Sequence, residues 1–121
     1  MQAIALINDD SIPSEVDVLA LRNAGYAVTE LRSSQQAVQG ICDMEADLFI
    51  IDLPLSYANG FMLSRLIRRI DGEVGIILRN ADSNERGISD GLRTGADLYF
   101  IKPLDTRTLL AAIHSLSKRL T

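Results

Sequence analysis

Hydrophobic and polar positions along the chain fall into short apolar runs that alternate with longer stretches of helical periodicity. The short runs predict five β-strands: Ala3–Ile7, Ala27–Leu31, Leu48–Leu53, Val74–Leu78 and Leu98–Ile101. The third run opens with four apolar residues in a row, which is typical of a strand buried on both faces of a parallel sheet. The alternation of strand and helix therefore predicts βαβ units.

Two helices are predicted in the first half of the chain. The first begins at an approximate capping box formed by Ser14 and Asp17 and stops at Gly25, a good left-handed terminator. Its apolar positions are Val16, Leu19 and Ala20. A second helix is predicted from a cap at Ser33 or Ser34, and its apolar positions are Ala37, Val38 and Ile41.

Three more helices are predicted in the second half. The third runs from Phe61 through Ile70, with apolar residues at Leu63, Leu66, Ile67 and Ile70. The fourth, roughly Asn84 to Thr94, is predicted to be the least stable segment, because Gly87 and Gly91 each cost about 1 kcal/mol relative to alanine. The last helix has Asp105 as its N-cap, an apolar stripe and a basic end: Leu109, Ile113, Leu116 and Leu120, then Lys118 and Arg119.

Five strands and five helices in alternation predict an open, doubly wound α/β sheet, because crossovers are right-handed and a barrel needs eight units. The length of 121 residues predicts one domain spanning 1–121. A net charge of −4 argues against direct binding of nucleic acid by this domain. Cys42 is the only cysteine, which excludes an internal disulfide and a cysteine-based zinc site and favours a reducing, cytoplasmic setting.

The start of the sequence lacks the basic segment of a signal peptide, and no apolar run reaches the about eighteen residues of a membrane helix. We therefore expect no membrane association. Glycine-rich nucleotide-binding motifs do not follow any predicted strand, and the only histidine, His114, lies in the last helix, where a surface position is expected. These observations argue against a nucleotide-binding enzyme, and we expect a domain that is not an enzyme.

Polar residues follow the predicted strands at their carboxyl ends, where ligands bind in doubly wound sheets. Asn8, Asp9 and Asp10 follow the first strand, Asp52 ends the third, Asn80 follows the fourth, and Lys102 follows the fifth. If Asp9 and Asp52 lie within about 4 Å, their carboxylates repel by about 4 kcal/mol at an effective dielectric of about 20, and a cation or protonation must offset this repulsion. A divalent ion is the simpler solution. Oxygen ligands of this kind suit Mg²⁺, and Lys102 would face a phosphoryl group that the metal bridges. Asp10 is interpreted as a turn residue.

Five motifs in order carry a resemblance: an acidic turn after the first strand, Phe49-Ile50-Ile51-Asp52, Asn59-Gly60, Thr94-Gly95-Ala96-Asp97 and Ile101-Lys102-Pro103-Leu104. Together they resemble the receiver domain of bacterial two-component response regulators over the whole chain. The resemblance implies a flavodoxin-like fold with strand order 2-1-3-4-5. It also implies an aspartate that takes a phosphoryl group from a histidine kinase or phosphotransfer protein, with Mg²⁺ bound.

The resemblance assigns roles residue by residue. Asp52 would be the phosphoacceptor, Lys102 would contact the phosphoryl group, and Tyr99 would be the aromatic switch residue. The metal would be held by Asp9, Asp52 and the backbone carbonyl of Pro54, with Asn8 in an outer position. A register shifted by one, with Asp9 and Asp10 as the acidic pair, is the alternative.

Three positions depart from the family pattern. Asn8 replaces a usual acid and is expected to lower metal affinity. Asn80 stands where a serine or threonine hydroxyl is usual, which puts the coupling to Tyr99 in question. Pro54 lies two residues after Asp52, where the family often has proline four residues after the aspartate, so the loop geometry is expected to differ.

Two functional hypotheses follow. In the first, phosphorylation of Asp52 switches the surface of the fourth helix and fifth strand and controls an output domain, a partner or a homodimer through that surface and the fifth helix. In the second, the chain is a degenerate receiver that binds partners independently of phosphorylation. Asn8 and Asn80 motivate the second hypothesis, and the retention of Asp52 and Lys102 favours the first. The basic cluster of Arg65, Arg68 and Arg69 is interpreted as a solvated helix face.

Overall fold

The computed structural model describes residues 3–8, 15–32, 40–41, 45–53, 60–80 and 85–120, without the side chains of 85, 86 and 118–120. The strands are β1 (Ala3–Ile7), β2 (Ala27–Leu31), β3 (Leu48–Leu53), β4 (Gly75–Asn80) and β5 (Leu98–Ile101). The helices of the described ranges are α1 (Glu15–Asn23), α2 (Gly60–Ile70), α3 (Glu85–Arg93) and α4 (Thr106–Leu120).

The five strands form one parallel sheet in the order β2-β1-β3-β4-β5, which confirms the predicted topology. The sequence predicted five helices, whereas the described residues hold four. The predicted second helix falls mainly on residues 33–39, outside the described part of the chain. Of its apolar positions, Ile41 is described and is buried in the core.

Helices cover both faces of the sheet, and each face has its own hydrophobic core. On one face α1 and α4 pack on the sheet, and their buried residues are Val18, Leu21, Leu109, Ile113 and Leu116. On the other face α2 packs through Leu63 and Ile67. Every residue of β3 is buried, as its unbroken apolar start predicts, because both faces of this central strand are covered.

The buried face of α1 differs from the prediction. Val16 is 74% exposed and Leu19 is 62% exposed, whereas Val18 and Leu21 are buried. Both pairs are spaced three residues apart, so periodicity alone does not choose between them. Packing against the core that contains Ile113 makes the choice. The predicted end of the helix is confirmed, because Gly25 has φ +99°.

Strand β4 extends two residues further than predicted. Arg79 and Asn80 were expected to lie beyond the strand, but they pair in register with Asp52 and Leu53 of β3. Polar side chains end an apolar pattern in the sequence, yet the backbone ladder continues wherever the neighbouring strand continues. The extension places two polar side chains at the carboxyl edge.

Helix α4 begins as predicted. The Asp105 carboxylate accepts a hydrogen bond from the backbone N–H of Arg107 at 3.1 Å, which is the geometry of an N-cap. Its stripe is buried at Leu109, Ile113 and Leu116. The side chains of Lys118, Arg119 and Leu120 lie outside the described set. Within the part of the chain that the structure describes, each helix is too short or too polar to span a bilayer.

The basic cluster of α2 is not a uniform solvated face. Arg68 donates to the backbone carbonyls of Gly95, Gly72 and Val74 and to the Asp97 carboxylate at 3.0 Å. The Asp97 carboxylate also accepts the backbone N–H of Ile76 at 2.8 Å. Arg68 therefore fixes α2 to the loops that enter β4 and β5.

Candidate functional site

Four predicted site residues lie together at the carboxyl edge of the sheet: Asn8, Asp52, Asn80 and Lys102. Ile7 pairs in register with Ile51, so Asn8 and Asp52 lie side by side at the ends of β1 and β3. Asn80 ends β4, and its backbone carbonyl accepts the N–H of Lys102 at 2.8 Å. Asp9, Asp10 and Pro54 lie outside the described residues, and their roles stay predictions.

An arginine that the sequence analysis did not single out binds the predicted phosphoacceptor. Arg79 Nε donates to Asp52 Oδ1 at 2.6 Å, and Arg79 Nη2 donates to Asp52 Oδ2 at 2.8 Å. The Arg79 side chain is 5% exposed and the Asp52 side chain 1% exposed. A guanidinium matches a carboxylate with two parallel hydrogen bonds, so both Asp52 oxygens are engaged in a buried pair.

The same arginine reaches a second carboxylate on α1. Arg79 Nη1 donates to Asp17 Oδ2 at 2.9 Å. Asp17 was expected to form a capping box with Ser14, which lies outside the described residues, whereas in the structure the Asp17 carboxylate binds Arg79. Burial by itself lowers the pKa of the Arg79 guanidinium, but the hydrogen bonds and charges of Asp52 and Asp17 outweigh burial and raise that pKa above its ordinary value.

Lys102 lies near Asp52 as predicted, at a longer distance than Arg79. Its Nζ is 3.8 Å from Asp52 Oδ1, and its side chain is 23% exposed. Burial lowers the pKa of the Lys102 ammonium below its ordinary value, the charge of Arg79 lowers it further, and the attraction of Asp52 only partly compensates. Lys102 is therefore a second cation beside Asp52, and it interacts with the carboxylate more weakly than Arg79 does.

The two predicted switch residues contact each other directly. Asn80 Nδ2 donates to the Tyr99 hydroxyl at 3.0 Å. The Tyr99 ring packs so closely on α3 that a Cβ added at Gly91 would lie 2.8 Å from its Cδ2. The glycine that weakens this helix in the sequence thus admits the tyrosine ring. A hydrogen bond from the Asn80 amide therefore joins these two side chains.

Asn8 lies at the carboxyl edge of the sheet, beside Asp52. Its side chain is buried, and its Nδ2 has no hydrogen-bond partner among the described residues. Its backbone N–H continues the β1–β2 ladder by donating to Leu31 at 3.0 Å. The NH₂ of Asn8 is a hydrogen-bond donor and cannot bind a metal ion, so only its Oδ1 could act as a ligand.

Of the residues that the resemblance assigns to the metal, the structure describes Asp52 and Asn8, and these two alone do not form a Mg²⁺ site. Mg²⁺ binds oxygen ligands, and Arg79 competes for those of Asp52 because it donates one hydrogen bond to each carboxylate oxygen. Asn8 adds no negative charge, and the described ranges contain no group of three histidine, cysteine or acidic side chains that could hold a metal. The positive charge that balances Asp52 belongs to the chain itself.

Sequence reasoning missed Arg79, although a signal for it was present. Arg79 directly follows the apolar run Ile76-Ile77-Leu78, so its charge ends an otherwise buried strand. The same observation identified Asp52 and Lys102, because an unpaired charge at such a position is costly. Applied to Arg79, it predicts a buried partner of opposite charge.

Comparison with known proteins agrees with this fold. The family described as response regulator receiver domain matches residues 4–114. The phosphate regulon transcriptional regulatory protein PhoB of Pseudomonas aeruginosa is 32% identical over 120 residues, which cover 98% of this chain and 52% of that protein. The transcriptional regulatory protein AfsQ1 of Streptomyces coelicolor is 32% identical over 119 residues, with the same coverage of 98% and 52%. The chain therefore spans about half the length of these relatives.

Solved structures share the architecture. A two-component response regulator from Clostridium difficile superposes with a TM-score of 0.92 at 23% identity, covering 100% of this chain and 99% of that one. A CheY-like receiver domain from Methanospirillum hungatei gives a TM-score of 0.89 at 22% identity, covering 98% and 95%. The order of the five parallel strands and the matched residues 4–114 lead to one conclusion: this chain belongs to the response regulator receiver domains.

Proposed function

We propose that this chain is a receiver domain that signals through protein contacts without phosphorylation of Asp52, and that it is not an enzyme. The observation that carries the proposal is the buried pair of Arg79 and Asp52, with hydrogen bonds of 2.6 and 2.8 Å to the two carboxylate oxygens. The fixed guanidinium neutralises the carboxylate, so the pocket needs neither Mg²⁺ nor a phosphoryl group to balance that charge.

The pair opposes phosphoryl transfer for a physical reason. An oxygen of Asp52 must form a bond to phosphorus while the bond from phosphorus to the donor breaks, and that oxygen must first leave the guanidinium. Separating one partner from a buried pair costs about 3–5 kcal/mol, which corresponds to a loss of more than about a hundredfold in reactivity. Arg79 cannot swing away freely, because Asp17 holds its remaining nitrogen.

The contact between Asn80 and Tyr99 supports the same proposal. The amide of Asn80 holds the tyrosine hydroxyl, and Gly91 admits the ring, without any group added to Asp52. We therefore propose that the surface of α3 and β5 stays in one arrangement. The relatives carry names of transcriptional regulators, and we propose that this domain controls an output region or partner through protein contacts, with no direct nucleic-acid binding.

Phosphoacceptor activity is the second candidate function, and Lys102 favours it. Its ammonium lies 3.8 Å from Asp52 Oδ1, where it could neutralise a phosphoryl oxygen. A sensor kinase or phosphotransfer protein would then supply the phosphoryl group, and Asp9 and Pro54 would hold Mg²⁺ as the resemblance implies.

Incubation with acetyl phosphate and Mg²⁺, followed by intact mass measurement, tests the proposal. We expect no phosphate on the wild-type chain and partial phosphorylation of Arg79→Ala, because that variant frees the oxygens of Asp52. The exposed Arg107 provides a matched control, and Arg107→Ala should behave as wild type. Phosphate on the wild-type chain that is lost in Asp52→Ala would overturn the proposal in favour of the second candidate.

A further inference from the structure

The outer face of α2 presents an apolar stripe to solvent. Met62, Leu66 and Ile70 follow one another at four-residue spacing and are 66%, 36% and 45% exposed. Residues four apart lie on one side of a helix, so the three side chains form a continuous strip along it. Leu63 and Ile67 are buried in the core, and Leu63 lies next to Leu66 and Ile70 on the helix, so the strip runs along the border between the buried side of α2 and solvent.

The charged side chains of α2 are all positive, although the chain as a whole is negative. The net charge is −4, yet α2 contains no acidic residue. Arg65 and Arg69 are exposed beside the stripe, and the ion pairs among the described residues include neither of them. Arg68 points to Asp97 and the neighbouring backbone and belongs to the fold. Two arginines therefore lie along one side of the apolar strip, and α2 contains no carboxylate.

We propose that this face, made of Met62, Arg65, Leu66, Arg69 and Ile70 and called the α2 face below, docks an amphipathic helix of a partner protein that carries acidic residues beside its apolar stripe. An amphipathic helix binds an apolar protein surface through side chains spaced about one helical turn apart. The arginines would select a partner of negative charge and orient it.

Other occupants fit the α2 face less well. In a symmetric dimer the same patch meets itself, which would bring Arg65 and Arg69 of both copies together. A nucleic acid would meet only two cations and three apolar side chains, on a domain of negative net charge. A partner helix with an apolar stripe and glutamates beside it can pack on the apolar residues and pair with the arginines at the same time.

The α2 face is independent of the Asp52 pocket. Its five side chains take no part in the network of Asp17, Arg79 and Asp52. The test of Asp52 phosphorylation and the test of docking on α2 are therefore independent, so a negative result in one does not decide the other.

A synthetic helical peptide with leucine at every fourth position and glutamate beside it is the probe. We expect it to bind the wild-type chain in fluorescence anisotropy, and to shift the backbone amide signals of α2 in ¹⁵N spectra. Replacing both Arg65→Glu and Arg69→Glu should raise the Kd about tenfold or more, as should Met62→Ser with Leu66→Ser. Added salt should weaken binding.

Val16 and Leu19 provide the matched control, since they are exposed apolar residues on α1, which packs on the opposite face of the sheet. Val16→Ser with Leu19→Ser should leave the Kd unchanged, and a peptide with lysine in place of glutamate should not bind. Equal binding of the lysine peptide, or equal loss in the α1 variant, would overturn the proposal. So would binding of phosphatidylserine vesicles without binding of the glutamate peptide, or self-association in sedimentation that Leu66→Ser abolishes.

Discussion

Arg79 and Asp52 are register partners on adjacent parallel strands, and the guanidinium of one donates to both carboxylate oxygens of the other. The pair lies at the carboxyl edge of the sheet, where the family resemblance implies a metal ion and a phosphoryl group. Asp17, on α1, accepts a hydrogen bond from the remaining nitrogen of the Arg79 guanidinium. A fixed side-chain cation thus lies beside Asp52, at the edge where a metal ion was expected.

Removing the arginine should destabilise the fold strongly. Arg79→Leu leaves Asp52 buried without its partner, and we expect a loss of about 3–5 kcal/mol in the free energy of unfolding, measured with urea at neutral pH. Asp17→Asn should cost only about 1 kcal/mol, because Asp17 is partly exposed. The double variant Asp52→Leu with Arg79→Leu should lose much less than the sum of the single changes. Equal stability of Arg79→Leu and wild type would contradict this account.

Magnesium should distinguish the wild-type chain from the arginine variant. We expect Mg²⁺ to leave the Tm of the wild-type chain unchanged and to raise the Tm of Arg79→Ala, because only the variant has free Asp52 oxygens. At a concentration ten times the Kd, the gain in the variant is about 1.4 kcal/mol. Adding Asp52→Asn to the variant should abolish the response. A wild-type Tm that rises with Mg²⁺ and loses that rise in Asp52→Asn would refute the prediction.

Lys102 should titrate below an ordinary lysine. The chain has one other lysine, Lys118, so ¹³C-methylated protein gives two side-chain signals to compare. The pKa of Lys102 should rise in Arg79→Leu, which removes a repelling cation, and fall further in Asp52→Asn, which removes an attracting anion. No difference between the two lysine signals would argue against the burial of Lys102.

The lowered pKa of Lys102 also determines whether the stability of the fold rises or falls with pH. Between the folded-state pKa and the ordinary value, the unfolded chain binds the proton that the folded chain has released. Stability should therefore rise with pH across that alkaline window, and Lys102→Met should flatten the rise. Urea unfolding at a series of alkaline pH values measures it, and a fall of stability in wild type relative to Lys102→Met would have the wrong sign.

Asn80 should hold Tyr99 in one position. With fluorotyrosine incorporated, we expect a single sharp ¹⁹F signal for Tyr99, assigned through Tyr99→Phe. Asn80→Ala should shift or broaden it and cost about 1 kcal/mol of stability, the worth of one hydrogen bond. The signal of Tyr26 serves as the control. A beryllium fluoride and Mg²⁺ mixture that moves the Tyr99 signal in the wild-type chain would show that the contact is not fixed.

Gly91 and Gly87 should respond oppositely to alanine. In Gly91→Ala the new Cβ would lie 2.8 Å from the Tyr99 ring, and overpacking of this kind costs about 1–3 kcal/mol. At Gly87 the nearest atom is the Tyr99 hydroxyl oxygen at 3.8 Å, so Gly87→Ala should instead gain up to about 1 kcal/mol from helix propensity. Urea unfolding of both variants measures the difference, and equal gains at both positions would exclude the close approach of Tyr99.

The pattern of the sequence predicted most of the fold. The four apolar residues that open β3 predicted a strand buried on both faces, and the stripe of α4 predicted its packing side. The hydrophobic pattern did not predict the buried face of α1, because two pairs of residues fit the helical period equally. Val16 with Leu19 and Val18 with Leu21 share one spacing, and the core beneath α1 decides which pair is buried. The strand end at Leu78 was wrong because charge usually ends a strand, and here a partner on β3 extends it.

The sequence by itself determined the alternating elements, and through the family resemblance the topology and the edge where Asp52, Asn80 and Lys102 meet. These follow from local periodicity and from motifs at compatible spacing. The tertiary structure decided the state of Asp52, because its partner lies 27 positions away and the second carboxylate lies 62 positions from Arg79. No local pattern encodes such distances. A buried charge requires a partner of opposite sign, and only the folded sheet determines which residue supplies it.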